Sequence, residues 1–228
     1  MPIAILAGGQ ATRMRPITER IPKALIEVAG RPFVDHQLDL LQRNGYRNVV
    51  FSIGYLGEML KSHVGGGERW GMNIRYVEDG PVLLGTGGAL RKAAPLLGDT
   101  FAVLYGDSYL PTDFARVEQA FAASGKAALM SVFRNRNNLD RSNVVFRDGM
   151  VVEYDKQRPS ASMEYIDYGL SVLRRSTFEN YPDGQPFDLA TVLTALSRAG
   201  QLAGIEVTER FYEIGSAAGL AEAEEFLK

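Results

Sequence analysis

The chain contains no cysteine. That absence excludes a disulfide scaffold, a zinc–thiolate centre and thiol catalysis. Histidine is nearly as scarce. His36 and His63 are the only two, too few for a multi-histidine metal site. An excess of positive charge is also missing. The formal net charge is −2, from 25 Lys and Arg against 27 Asp and Glu, so no broad basic surface points to nucleic acid. Long hydrophobic runs are absent too. The opening residues M-P-I-A-I-L-A-G-G have no basic n-region and too short an apolar run for a signal peptide or a membrane span. The expectation is a cytoplasmic enzyme or binding protein with no membrane partner.

What is present is ordinary in bulk. The 228 residues suffice for one sizeable α/β domain, and 46% hydrophobic with 23% charged residues suits a globular chain. Strand and helix signals alternate over the first 133 residues. Ile3–Leu6, Asn48–Ile53, Ile74–Val77 and Phe101–Tyr105 are short apolar runs that predict buried parallel strands. Val34, Leu38 and Leu41 recur at helical spacing, with Asn44-Gly45 as a stop. Gly57–His63 predicts a shorter helix, and Thr86–Ala94 another, closed by Pro95. This alternation predicts a parallel sheet covered by helices.

Beyond Arg134 the texture changes. Asn143–Phe146, Met150–Tyr154 and Tyr165–Leu173 are strand-like and separated by turn residues. They predict a small antiparallel patch added to the parallel core. A helix over 189–198, a strand over 202–207 and a helix over 217–227 complete the chain. With no repeat or linker, residues 1–228 read as one domain: a core over 1–133 and a second part over 134–228.

Directly behind the first strand stands L-A-G-G-Q-A-T-R-M-R-P, residues 6–16. The phosphate-loop pattern GxxxxGK and the dinucleotide pattern GxGxxG are both absent. The ingredients of an anion site are present all the same. Glycines let backbone N–H groups approach a phosphate. Thr12 adds a hydroxyl, and Arg13 and Arg15 add forked cations. Open α/β sheets bind ligands at this position. The competing reading of the loop alone is a glycine turn with two solvated arginines. Lys23, in I-P-K-A-L, follows a proline that fixes the local backbone. Taken alone, it reads as a surface lysine.

With these two segments the sequence resembles the sugar-1-phosphate nucleotidyltransferases. Their pattern resembles L-A-G-G-x-G-T-R-x-x-P followed by a P-K segment. Further pieces keep the family's order: V-A-G-R-P-F at 28–33, L-G-T-G-G-A-L at 84–90, Y-G-D-S at 105–108 and E-I-G-S at 213–216. The resemblance covers nearly the whole chain, and it is strongest to small bacterial members that act on heptose or N-acetylmuramate 1-phosphate. It implies a GT-A-like fold of the nucleotide-diphospho-sugar transferase type: a Rossmann-like mixed, mainly parallel sheet with helices on both faces. It also implies a reaction between a nucleoside triphosphate (GTP or UTP) and a sugar 1-phosphate, with Mg²⁺ as cofactor, in a monomer or homodimer.

The resemblance assigns residues too. The nucleotide lies along Leu6, Ala7, Gly8, Gly9, Gln10, Ala11 and Thr12. Arg13 holds the leaving phosphates, Lys23 bridges the reacting ones, and Asp107 holds the metal. Glu213 stands where many relatives carry the second metal-binding Asp. Gly85 and Thr86 border the nucleobase, with Glu78 and Gly80 upstream, although V-L-L at 82–84 lengthens this segment. Lys156 meets the sugar phosphate, with Glu153 and Asp155 nearby, and Asp167, Tyr168 and Gly169 meet the sugar. Ala11 replaces a common glycine and fits without strain only at negative φ. The departures at 11 and 213 motivate an alternative, a non-catalytic nucleotide- or sugar-phosphate-binding regulator. His36 reads as a satisfied surface or edge histidine, Trp70 as packing against its own loop, and the arginines of 134–141 as a solvated loop.

Overall fold

Strand β1 (Ile3–Ala7) sits mid-sheet and alternates its side chains between two cores. Ile3 and Ile5 pack on one face and Ala4 on the other, as the two-residue period of a strand requires. The computed structural model describes residues 1–228. Its other strands are β2 (Glu27–Val28), β3 (Arg31–Pro32), β4 (Asn48–Ile53), β5 (Asn73–Glu78), β6 (Thr100–Tyr105), β7 (Ser108–Tyr109), β8 (Ala128–Arg134), β9 (Val144–Arg147), β10 (Met150–Tyr154), β11 (Tyr165–Arg174), β12 (Leu202–Val207) and β13 (Tyr212–Glu213). The helices are α1 (Phe33–Arg43), α2 (Gly57–Val64), α3 (Gly85–Leu97), α4 (Phe114–Ser124), α5 (Leu189–Arg198) and α6 (Ala217–Leu227).

Nine strands form one sheet in the order β5-β4-β1-β6-β11-β8-β12-β10-β9. All but β11 and β10 run in one direction. Helices α1, α2, α4 and α6 bury side chains on one face, and α3 and α5 on the other. The mixed, mainly parallel sheet is therefore as expected. The antiparallel residues do not form a separate patch, however. Strand β11 lies inside the sheet, between β6 and β8. Its buried run Tyr168–Leu173 reads like the parallel strands beside it, because burial on both faces, not direction, sets that texture.

One helix also departs from expectation. Pro95 lies within α3, which continues to Leu97. A proline near a helix end removes only one hydrogen bond, and Ala93 and Ala94 before it and Leu97 beyond it remain fully packed. Other ends follow simple chemistry. Asp113 caps α4 by accepting from Ala115 N, and Gly125 closes it at φ +64°.

The chain order creates a crevice. From β1 the chain moves outward to β4 and β5, then returns to β6 on the other side of β1. Loops leaving β1 and β6 therefore diverge at their carboxyl ends, which is where open sheets bind ligands. The histidines and Trp70 are used structurally. His36 Nε2 bonds Val28 O at 2.8 Å, His63 pairs with Asp35 at 2.7 Å, and the Trp70 indole donates to Asp39 at 2.9 Å. No helix is long and apolar enough to cross a membrane.

Candidate active site

The loop after β1 is shaped by close approach. A Cβ on Gly8 would stand 3.3 Å from both Asp79 Oδ2 and Gly54 N, whereas Gly9 faces open space. Ala11 adopts φ +47° and ψ 45°. This is the left-handed region that glycine occupies freely and alanine only with strain. Thr18 Oγ1 donates to Ala11 O at 2.9 Å, and Met14 N to the same oxygen at 3.0 Å. Met14 is buried and anchors a single 3₁₀ turn over Thr12–Met14, so Thr12 and Arg13 face outward. Arg15 leaves the crevice and approaches Glu19 at 3.9 Å.

The loop after β6 meets it. Gly106 N donates to Leu6 O at 2.9 Å, and a Cβ at Gly106 would stand 2.9 Å from that same oxygen. Asp107 therefore leaves the sheet beside the glycine loop. It heads the short strand β7 and is not a helix cap. Beneath it, the fully buried Gln37 of α1 donates to Tyr105 O at 2.9 Å and to Ser108 O at 2.7 Å. One side-chain amide thus clamps the backbone on both sides of Asp107.

Lys23 and Glu213 complete this end. Lys23 Nζ lies 2.5 Å from Asp107 Oδ2. Strand β13 pairs with β7, setting Glu213 against Ser108, and Ile214 N donates to Asp107 O at 3.0 Å. Ser108 Oγ lies 3.4 Å from Asp107 Oδ1 and 3.5 Å from Glu213 Oε1, so two carboxylates share one hydroxyl. The crowded cleft wall strips hydration from Glu213, although the residue still meets solvent. That loss and the Asp107 charge push its carboxyl above the usual glutamate value, with Lys23 opposing. The next residue but one, Gly215, leaves room for two cations. A Cβ there would stand 3.3 Å from Lys23 Nζ and 3.6 Å from Arg13 Nη2.

These residues border a cleft of about 390 Å³. Leu6, Ala7, Gly8, Gly9, Ala11 and Thr12 line it, as do Arg13, Lys23, Gly85, Thr86 and Asp107. Gln10 points to solvent outside it. The expected upstream pair requires correction. Glu78 is exposed and pairs with Lys61 at 3.5 Å, and Gly80 is exposed at φ +99°. The residue between them, Asp79, lines the cleft and accepts from Leu84 N at 3.1 Å. The added V-L-L segment folds back over Asp79 to make that bond. Ser52 of β4 lines the same end. Both were missed in the sequence, yet both stand at strand carboxyl ends, as Asp107 does.

The residues expected at the sugar divide. Lys156 Nζ stands over the Tyr105 ring, 5.4 Å from its centroid. Asp167 accepts from Gly169 N at 3.0 Å and from the Tyr154 hydroxyl at 3.3 Å. Burial raises the Asp167 carboxyl, with Lys156 and these hydrogen bonds opposing. Gly169 needs its φ of +101°, and a Cβ there would touch Tyr105 at 3.6 Å. The Tyr168 side chain turns away into the core against Phe133 and Phe211. Glu153 accepts from Ser160 at 3.3 Å, and Asp155 caps its own turn through Gln157 N and Arg158 N at 2.8 Å each. Those two carboxylates are thus used outside the cleft. Thr86 Oγ1 donates to Asp188 at 2.9 Å, tying the cleft wall to the start of α5. The 134–141 loop is knitted by the buried Asn135, which donates to Ser142 Oγ at 3.1 Å.

The model of the nucleotidyl transferase family matches residues 3–227. An N-acetylmuramate α-1-phosphate uridylyltransferase of Neisseria meningitidis is 29% identical, over 98% of this chain and 97% of its own. A D-glycero-α-D-manno-heptose 1-phosphate guanylyltransferase of Campylobacter jejuni is 24% identical, over 85% of each. The crystal structure of HddC from Yersinia pseudotuberculosis superposes with a TM-score of 0.84 at 22% identity, covering 100% of this chain and 99% of that one. The chain belongs to the nucleotidyl transferase family and is an enzyme of the sugar-1-phosphate nucleotidyltransferase class.

Proposed function

We propose that this chain transfers a guanylyl group from GTP to a heptose 1-phosphate, releasing pyrophosphate. N-acetylmuramate and hexose 1-phosphates, and UTP, are the competing substrates. The observation that carries the reaction is the convergence of Arg13, Lys23, Asp107 and Glu213 on the glycine loop at the crevice. The base-specific and sugar-specific parts rest on the G-R-P-F, G-Y-L-G-E and L-G-T-G-G-A-L segments.

In this reading an oxygen of the sugar phosphate attacks the α-phosphorus in line, and pyrophosphate leaves. Positioning and charge neutralisation supply the catalysis. Backbone amides of Gly8 through Thr12 cradle the triphosphate. Arg13 neutralises the departing β- and γ-phosphates. Lys23 releases Asp107 and stands between the two reacting phosphates, lowering their mutual repulsion. Lys156 holds the sugar phosphate, and Asp167 and the Gly169 backbone address sugar hydroxyls. Residues 1–133 thereby serve the nucleotide, and 134–228 contribute mainly to the sugar phosphate.

Asp107 and Glu213 fit a divalent cation. Their two carboxylates meet at one hydroxyl, with Lys23 paired to Asp107, and Mg²⁺ favours one or two carboxylates completed by phosphate oxygens. When bound, Mg²⁺ neutralises phosphate charge at the reacting centre. The test is pyrophosphate release with Mg²⁺, each triphosphate and a panel of heptose, hexose and amino-sugar 1-phosphates. Release with GTP and heptose 1-phosphate supports the full reading. Triphosphate binding by calorimetry without release from any pair supports the non-catalytic regulator instead.

A further inference from the structure

Two carboxylates near Tyr105 hold no cation. Asp167 Oδ1 accepts from Gly169 N at 3.0 Å, and its Oδ2 from the Tyr154 hydroxyl at 3.3 Å. Asp188 Oδ1 accepts from Thr86 Oγ1 and from Ala190 N, each at 2.9 Å. Every one of these donors is uncharged, and no ion pair of the chain includes either carboxylate.

The fold gathers both around one ring. The pairing of Leu170 with Leu104 sets Gly169 beside Tyr105, with Asp167 two residues away along β11. Thr86, which holds Asp188, lines the cleft together with Tyr105. Loss of hydration raises the Tyr105 hydroxyl well above its ordinary value, and the charges of Asp167, Asp188, Asp107 and Glu213 push the same way. The available cation is Lys156, with Nζ 5.4 Å from the centroid of that ring. Lys23 is paired with Asp107, and Arg13 stands beside it. Once Lys156 meets a phosphate, no cation is left for Asp167 and Asp188.

Resting on the nucleotidyl-transfer reading above, which seats the sugar phosphate at Lys156, we propose that Asp167 and Asp188 select uncharged sugars and reject sugars that carry a carboxylate. Hydroxyls of a neutral sugar donate to the open lone pairs of the two side chains. An ionised sugar carboxylate donates nothing and sets like charge against both. Repulsion built against the wrong substrate is an economical source of specificity. Neutral polyhydroxy sugar 1-phosphates are therefore the class accepted, and N-acetylmuramate and uronic acid 1-phosphates the class refused.

The experiment measures kcat/KM at about pH 8, where carboxylates are ionised, for two pairs of sugar phosphates. Glucose and glucuronate 1-phosphates form one pair. N-acetylmuramate 1-phosphate and its lactyl methyl ester form the other. Each pair keeps its bulk and differs by one charge. The wild type is expected to favour the neutral member by about 100-fold, the scale of two like-charge repulsions in a half-solvated cleft. Asp167→Asn and Asp188→Asn each keep an acceptor for the backbone N–H they hold, and each is expected to narrow the ratio about tenfold. A merely structural defect lowers both members together and leaves the ratio intact. Parity within both pairs in the wild type, or a ratio that neither variant narrows, overturns the inference while transfer itself stands. Should no sugar phosphate release pyrophosphate, the reaction reading fails. Calorimetric affinities for the same pairs then decide the charge inference by the same ratios.

Discussion

Lys23 Nζ and Asp107 Oδ2 stand 2.5 Å apart, joining a residue from the first loops of the chain to one at the end of β6. The proposed phosphate cation and the proposed metal ligand thus hold each other before substrate arrives. The pair is partly open to solvent, with side chains 15% and 33% exposed. Its contribution to folding is therefore small, and its value lies in keeping two side chains aimed into the cleft.

Asp107→Asn and Lys23→Met are each expected to lower kcat by about 10²–10³-fold, the usual effect of removing one charge-stabilising group. Unfolding free energy is expected to change by no more than about 1 kcal/mol. Steady-state pyrophosphate assays and urea titrations check both halves. An Asp107→Asn enzyme with wild-type turnover removes the metal assignment.

Ala11→Gly is expected to stabilise the protein by up to about 1 kcal/mol, because alanine at φ +47° pays a left-handed penalty that glycine avoids. The measurement is the urea midpoint at constant m-value. A lower midpoint in the variant shows that the loop is not strained at Ala11.

Gln37→Leu removes both hydrogen bonds that clamp the Gly106-Asp107 backbone. Leaving those carbonyls unpartnered is expected to cost about 2 kcal/mol. A displaced Asp107 is expected to reduce kcat about tenfold with KM for the triphosphate nearly unchanged, since misplacement acts on the reacting geometry. A variant that raises KM alone contradicts this positioning role.

Asp167 carries a pH signature. Burial raises its folded-state carboxyl value above the unfolded one. The folded state therefore binds this proton more tightly, and ionising Asp167 costs stability as pH rises. The cost is absent below the ordinary aspartate range and fully present above the raised value. Asp167→Asn is thus expected to gain thermal stability relative to wild type between pH 3.5 and 7, while losing affinity for the sugar 1-phosphate. Parallel melting curves across that range test it, and a relative loss with rising pH refutes it.

Much of this was legible in the sequence. Gly8, Gly9 and Asp107 follow apolar strands, the position where open sheets bind ligands, whereas Lys23 alone read as a surface lysine and only the family resemblance brought it to the cleft. The central position of β11 was not legible, since a strand buried on both faces reads the same in either direction. Asp79 was hidden for a different reason. Only the fold-back of Leu84 aims it at the cleft, and no local pattern encodes that contact. Glu153 and Asp155 misled in the opposite sense: carboxylates beside Lys156 turned out to serve a turn and a neighbouring serine. Pro95 misled because the packing of α3 outweighs one lost hydrogen bond.

The pairing of β13 with β7 has a consequence for how the enzyme comes into being. The glycine loop, Lys23 and Asp107 all lie in the first half of the chain, whereas Glu213 and Gly215 lie near its other end. The chain must cross β8 through β12 before the last carboxylate can dock. Such distant closure is slow relative to local structure. A partly folded protein can therefore hold the proposed phosphate loop before Glu213 docks beside Asp107, and on the proposed reading catalytic competence matures only when the two extremities of the polypeptide meet.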